Sequence, residues 1–231
     1  MLFGHKLERR RADATGDSSV NTEFRSSVPR AYGWTSSVSH SCDYLAPEVI
    51  ELLRTLAVER VLDLGCGNGA LCGALHTEGW QAVGVEPDEA GVAIARTLYP
   101  AVSFHPFGVH SDPANLLAIE DPFDVVVSTE VVEHLFAPRQ LPAYAAAVLK
   151  PSGWLIVSTP YHGYLKNLAL SVFDKWDHHH TALWEGGHVK FFSRATLSEL
   201  LSANGFEVID FRGVGRLPWL WKSMVLVARK K

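Results

Sequence analysis

VLDLGCGNG, residues 61–69, decides how the chain folds. A short apolar run stops at Leu64, and glycines follow at alternate positions, Gly65, Gly67 and Gly69. Glycine accepts positive φ and lets the backbone come close to a ligand. The pattern therefore predicts a strand that ends in a tight turn and opens into a helix. Asp63 stands two positions before the first glycine. A pyrophosphate gains nothing from a carboxylate there, whereas a ligand carrying an ammonium group does. The next apolar run ends in VGVEPD, residues 83–88. Glu86 lies about 20 residues beyond the first glycine, where an acid accepts hydrogen bonds from ribose hydroxyls. Asp88 has the simpler reading of a helix cap.

Working outward, short apolar runs suited to buried parallel strands recur as RVLDLG, QAVGVE, FDVVVST and GWLIVST. Helix-like stretches lie between them: ALCGALHTEG, DEAGVAIARTLY and RQLPAYAAAVLK, with Gly79 and Gly153 placed as helix stops. Upstream, Asp43 is expected to cap a helix starting near Ala46, with Ile50, Leu53 and Leu56 as its buried stripe. Downstream, Ser193 is expected to cap a helix within FFSRATLSELLSANGF, and EVIDFRG and KSMVLVARK to form an antiparallel pair. The expected fold class is α/β: an open, Rossmann-like, doubly wound sheet, mostly parallel, with an antiparallel C-terminal edge strand. Residues 1–28 are polar and non-periodic and are expected to form a flexible arm. The domain is expected over 29–231, with a lid-like insertion around 162–190.

Composition narrows the function classes. The 231 residues carry a net charge of −4, which argues against a nucleic-acid partner. The basic HKLERRR could touch RNA or lipid headgroups, but a solvated charge run is the reading preferred. Cys42, Cys66 and Cys72 have neither zinc spacing nor a disulfide framework, so a cytoplasmic location is expected. No apolar run is long enough to span a bilayer. Peripheral membrane contact stays open through PWLWKS, residues 218–223, although a cover for the sheet edge is the preferred reading. A homo-oligomer is compatible with the sequence.

VLDLGCGNG followed by VGVEPD resembles the class I S-adenosylmethionine-dependent methyltransferases, over roughly residues 45–231. The G-x-G-x-G spacing and Asp63 set it apart from the G-x-G-x-x-G turn of nicotinamide-dependent dehydrogenases, the rival reading, as does the reversed last strand. A non-catalytic nucleotide-binding module is a further alternative. The resemblance implies S-adenosylmethionine as cofactor. Asp63, Gly65, Cys66 and Gly67 would line its methionine part, Glu86 with Pro87 its ribose, and Thr129 its sulfonium side. The loop after the third strand, VSFHPFGVHSDP, departs from the family pattern. Gly108 and Val109 are the adenine candidates there, and Asp112 is a weak candidate acid.

STEVVEHLF, residues 128–136, follows the fourth strand. If a helix starts at 131, Glu133 and His134 project from its first turn beside Glu130. Two carboxylates and an imidazole suit a hard or borderline divalent cation such as Mg²⁺, or general-base work. They also suit a plain helix start. The spacing E-x-x-E-H resembles that of the ubiquinone-biosynthesis O-methyltransferases, where such a cluster is associated with a metal. Glu130, Glu133 and His134 are thus candidates both for catalysis and for metal binding. His162, in STPYHGYLKN, is a further candidate base, with Tyr161, Tyr164 and Lys166 beside it. In DKWDHHHTALWEGGHVKFFS an extended chain would put only His178 and His180 on one face. With Glu185 and His188 nearby, a zinc site is conceivable but fits no recognised spacing, and a polar lid walled by Trp176 and Trp184 is preferred. The function expected is methylation of a hydroxyl on a small aromatic or quinone-like acceptor, with a sugar, lipid or amine acceptor as alternative.

Overall fold

The computed structural model describes residues 33–37, 40–180, 183 and 186–231. The expected arm, together with Trp184 and Glu185, lies outside them. Helix α1 (Cys42–Thr55) leads into β1 (Arg60–Leu64), α2 (Ala70–Thr77), β2 (Gln81–Val85), α3 (Glu89–Leu98), β3 (Ser103–His105) and α4 (Pro113–Leu117). Then come β4 (Phe123–Thr129), α5 (Gln140–Val148) and β5 (Leu149–Pro160). Two helices, α6 (Tyr164–Val172) and α7 (Trp176–His180), precede α8 (Arg194–Ser202), β6 (Phe206–Val214) and β7 (Ser223–Lys230).

Among the described residues, a seven-stranded sheet has the order β3-β2-β1-β4-β5-β7-β6. Neighbours from β3 to β5 are parallel. β7 runs antiparallel to β5 and to the edge strand β6, which gives the C-terminal edge its expected antiparallel pairing. Alternate side chains of each strand point to opposite faces, so a strand covered on both sides is apolar throughout. Leu62, Leu64, Val126, Leu155, Val157 and Leu226 pack against α4, α5 and α8. Val61, Val125, Val127, Ile156, Val225 and Val227 pack against α1, α2 and α3. The strand order reverses direction between β1 and β4. In open α/β sheets the crevice at the carboxyl ends of such strands is where ligands bind.

Three local expectations are corrected. Helix α1 begins at Cys42 rather than near Ala46, with Asp43 inside its first turn, where the helix dipole favours a carboxylate. Its buried stripe is Leu45, Val49, Leu52 and Leu53, spaced as one helical face, while Ile50 and Leu56 are half-buried. Gly153 stops no helix: α5 ends at Val148, and Gly153 lies in β5, whose pairing with β4 is irregular between Phe123 and Val125. No helix starts at 131 either. The chain makes a short 3-10 turn, Val132–His134, and leaves it extended at Leu135.

Candidate active site

The carboxyl ends of β1 and β2 make the first half of the crevice. Gly65, Gly67 and Gly69 all have positive φ (89°, 53° and 80°), which explains the alternating glycines. The N–H groups of Gly65 and Cys66 donate to the Val85 carbonyl at 2.8 and 3.0 Å, tying the turn to β2. Asp63 is buried. Its Oδ2 accepts from the Cys72 thiol at 3.5 Å, and its Oδ1 has no partner. Burial pushes this carboxyl up to about 7. A Cβ on Gly65 would fall 2.5 Å from Val131 Cγ2, so the turn after β4 is packed directly on the turn after β1. Glu86 is buried and accepts from the N–H groups of Gly67 (3.1 Å) and Asp88 (3.0 Å), and burial raises its pKa.

Pro87 lies against Gly108, where an added Cβ would come within 3.1 Å of it, and Val109 is half-buried against the core. Asp112 caps α4 through Ala114 N–H at 2.9 Å, which accounts for it without an adenine. Asp88 likewise caps α3. Two residues went unnoticed in the sequence. The Trp34 ring covers Gly67 and Gly91, and Asn68 donates to the carbonyls of Thr35 and Ser37 at 2.9 and 2.8 Å. Nothing in the spacing of the strands and helices marks such a strap.

The second half follows β4. Thr129 pairs with Ser158 of β5, and Glu130 turns the chain with φ of 55°, a left-handed conformation costly for a residue with a Cβ. Hydrogen bonds hold it there: Glu130 N–H donates to Ser158 Oγ (3.1 Å), and Ser158 O–H donates to Glu130 Oε1 (2.7 Å). Ser223, at the start of β7, hydrogen-bonds the same carboxylate and lies 3.0 Å from the Tyr44 hydroxyl. Burial pushes Glu130 up to about 7, opposed by its two serine partners and the nearby Lys166 ammonium. Lys166 is itself buried, donates to the Lys222 carbonyl at 3.2 Å, and is drawn down to about 8.

Glu133 is buried and points another way. Its Oε2 accepts from Thr159 at 3.0 Å, while Oε1 has no partner. Burial, then the Glu130 charge, holds its pKa well above the carboxylate range. Among the described residues, Glu133, His134 and His188 bring one ligand atom each within 4.8 Å of one another. The structure thus groups Glu133 and His134 with His188 rather than with Glu130. His162 stacks on His180 with ring centroids 5.6 Å apart, and Phe191 stands edge-on at 5.2 Å. Burial pulls His162, His179 and His188 down to about 4. Residues 176–180 are helical, so the extended alternation expected for His178 and His180 does not occur. Trp221 packs edge-on to Tyr161 at 5.0 Å, while Trp219 is exposed.

A family model described as a methyltransferase domain matches residues 38–210. The chain belongs to the class I S-adenosylmethionine-dependent methyltransferases. It is 30% identical over 175 residues to the ubiquinone biosynthesis O-methyltransferase of Bradyrhizobium diazoefficiens, across 74% of this chain and 67% of that protein. Magnesium protoporphyrin IX methyltransferase from Synechocystis, solved with S-adenosylhomocysteine, aligns over 81% of this methyltransferase and 80% of its own chain, with TM-score 0.55 and 20% identity. The 1,6-didemethyltoxoflavin-N1-methyltransferase of Burkholderia thailandensis aligns over 81% and 77%, with TM-score 0.59 and 20% identity. At those identities the two structures speak for the fold alone. Family membership sets aside the dehydrogenase and the non-catalytic module, and S-adenosylmethionine is the cofactor. No helix among the described residues of this methyltransferase is long and apolar enough to cross a membrane.

Proposed function

We propose that this methyltransferase methylates a hydroxyl on a small aromatic or quinone-like acceptor and that Glu130 is the base that takes the hydroxyl proton. The observation that carries the reading is Glu130 itself, a half-buried carboxyl held in a left-handed turn at the carboxyl end of β4 and poised near 7. A base is most effective when its pKa lies near the working pH. His162, drawn down to about 4, is a far weaker proton acceptor for a phenol, whose own pKa is near ~10. It is better suited to shaping the acceptor pocket with His180 and Phe191. The name of the Bradyrhizobium relative points to the same class of acceptor.

The crevice fits the cofactor. The unpartnered Oδ1 of Asp63 is the group an ammonium would meet, and the glycine turn, with Cys66, would let the methionine part approach the backbone. Glu86 would hold the ribose beside Pro87, Gly108 and Val109 would face the adenine, and Thr129 would border the sulfonium. When bound, the cofactor supplies a methyl group on a positively charged sulfur. The chain's part is to align the acceptor oxygen in line with that methyl group, to exclude water and to remove the proton. Glu130 would take the hydroxyl proton as the acceptor oxygen receives the methyl group that the cofactor's sulfur would give up. A divalent cation held at Glu133 and His134 would do related work by lowering the acceptor's pKa.

The test is a pH profile with a catechol acceptor. Wild-type kcat/KM should rise with pH through about 7 and then level off. Glu130→Gln should lose that limb and fall by roughly 10²–10⁴-fold, with S-adenosylhomocysteine affinity unchanged. A variant that keeps the limb removes Glu130 as base. Mass spectrometry showing methylated amines but no O-methyl ether sinks the acceptor class.

A further inference from the structure

We propose that Glu133, His134 and His188 bind a borderline divalent cation of the zinc type, and that this cation fastens the segment 186–190 to the turn after β4. The proposal deepens the acceptor-site reading, and rests on it only for what the cation's remaining coordination positions would hold.

The three ligand atoms lie within 4.8 Å of one another, although His188 is far from the other two in sequence. Glu133 is 1% exposed, and its Oε1 has no partner. A polar atom stripped of water without a hydrogen bond is costly unless something else meets it. Thr159 holds the other oxygen at 3.0 Å and so fixes the carboxylate. The His134 and His188 rings meet edge to face with centroids 4.9 Å apart.

The backbone already brings the segment to the turn. The Glu133 carbonyl accepts from Val189 N–H at 2.9 Å and Lys190 N–H at 3.0 Å, and His134 Nδ1–H donates to the Gly187 carbonyl at 3.3 Å. That last bond also orients the His134 ring, as outer hydrogen bonds commonly do for ligating histidines. Ligands on zinc bond at about 2.0–2.2 Å and so stand about 3–4 Å apart. Binding therefore draws the three groups closer, and His188 carries its segment inward.

Two imidazoles and one carboxylate favour a borderline first-row cation, and three protein ligands leave positions for an acceptor oxygen or water. Mg²⁺ prefers oxygen ligands and keeps several waters. Glu130 is engaged by Ser158 and Ser223 instead, so the ligand set is not the run of three read from 130–134.

The experiment uses the full chain, stripped of metal and titrated with Zn²⁺ by calorimetry, with Mg²⁺ as control and Co²⁺ as the spectroscopic probe. One equivalent of Zn²⁺ should bind at least tenfold tighter than Mg²⁺ and slow hydrogen exchange over 186–190. His188→Ala, on a half-buried loop residue, should weaken Zn²⁺ binding at least tenfold, abolish the visible Co²⁺ bands and remove the exchange effect. His179→Gln should change none of these. Equal zinc affinity in wild type and His188→Ala overturns the ligand set. Zinc binding that leaves exchange at 186–190 unchanged overturns the fastening. Both readouts need no acceptor, so a failure of the O-methylation reading leaves them standing, and their failure leaves the Glu130 pH limb to be judged by itself.

Discussion

Glu86 has two duties, and they predict different outcomes for two substitutions. Its carboxylate accepts from Gly67 N–H and Asp88 N–H, holding together the turns after β1 and β2 before any ribose arrives. Glu86→Ala leaves both donors without an acceptor, at about 1–3 kcal/mol each, and deletes the proposed ribose partner. Thermal stability should fall, and calorimetry should show S-adenosylhomocysteine binding weakened by roughly 1.5–3 kcal/mol, or about 10–100-fold. Glu86→Gln keeps one acceptor oxygen and should lose less of both. Equal affinity in all three proteins would remove Glu86 from the site. The places of Asp63, near the end of β1, and of Glu86 and Glu130, just beyond β2 and β4, were legible in the sequence because apolar runs mark where the parallel strands end. Ser158 was within reach of the same argument through its pairing with Thr129. Ser223 was not, since its place depends on the register of an antiparallel strand brought in from far along the chain.

At the scale of elements, the parallel strands and their helices follow from periodicity, and what departs from periodicity was misread. The run WDHHH carries no apolar stripe, yet it forms the short helix α7, in which Trp176 and His180, one turn apart, pack ring to ring at 4.4 Å. In the E-x-x-E-H run, a helix starting at 131 would put Glu133 and His134 on its first turn beside Glu130. The left-handed Glu130 and the 3-10 turn after it send its carboxylates to different partners. The strap at 33–37 has no secondary structure to betray it, and Asn68 holds it by two side-chain hydrogen bonds. Asn68→Ala should leave the sheet intact and cost about 1–3 kcal/mol at most. Hydrogen exchange at 35–37 should quicken while β1 and β4 stay protected. Unchanged exchange at 35–37 would show that Asn68 does not secure the strap.

Over the whole molecule, the pH dependence of stability joins two opposed sets of groups removed in whole or part from water. Asp63 and Glu130 are raised to about 7 by burial. Between their unfolded values near ~4 and that pH the native state holds more protons than the unfolded chain, so their contribution is lost as pH rises. His162, His179 and His188 are lowered to about 4. Between there and an unfolded value near ~6.5 the unfolded chain holds more protons, so stability grows as pH rises. The two trends oppose each other over about pH 4.5–6.5, and urea midpoints measured with chelator should vary little there. The double substitution His162→Gln, His179→Gln should weaken the histidine trend, with His188 still opposing the carboxyls, and midpoints should then fall more with rising pH than in wild type. A variant as flat as wild type would mean that these histidines are not buried in their neutral form.

The reversal of β7 bears on how the protein is made. Because that strand runs against its neighbours, its first residue, Ser223, arrives at the same end of the sheet as Glu130 and Ser158. The glycine turn, Glu86 and Glu130 all leave the ribosome well before it. A nascent chain can therefore shape the glycine-turn side of its crevice while the Glu130 side still lacks Ser223 and the Lys222 carbonyl that holds Lys166. In order of synthesis, the glycine turn and Glu86 come first and the last partners of Glu130 come at the end.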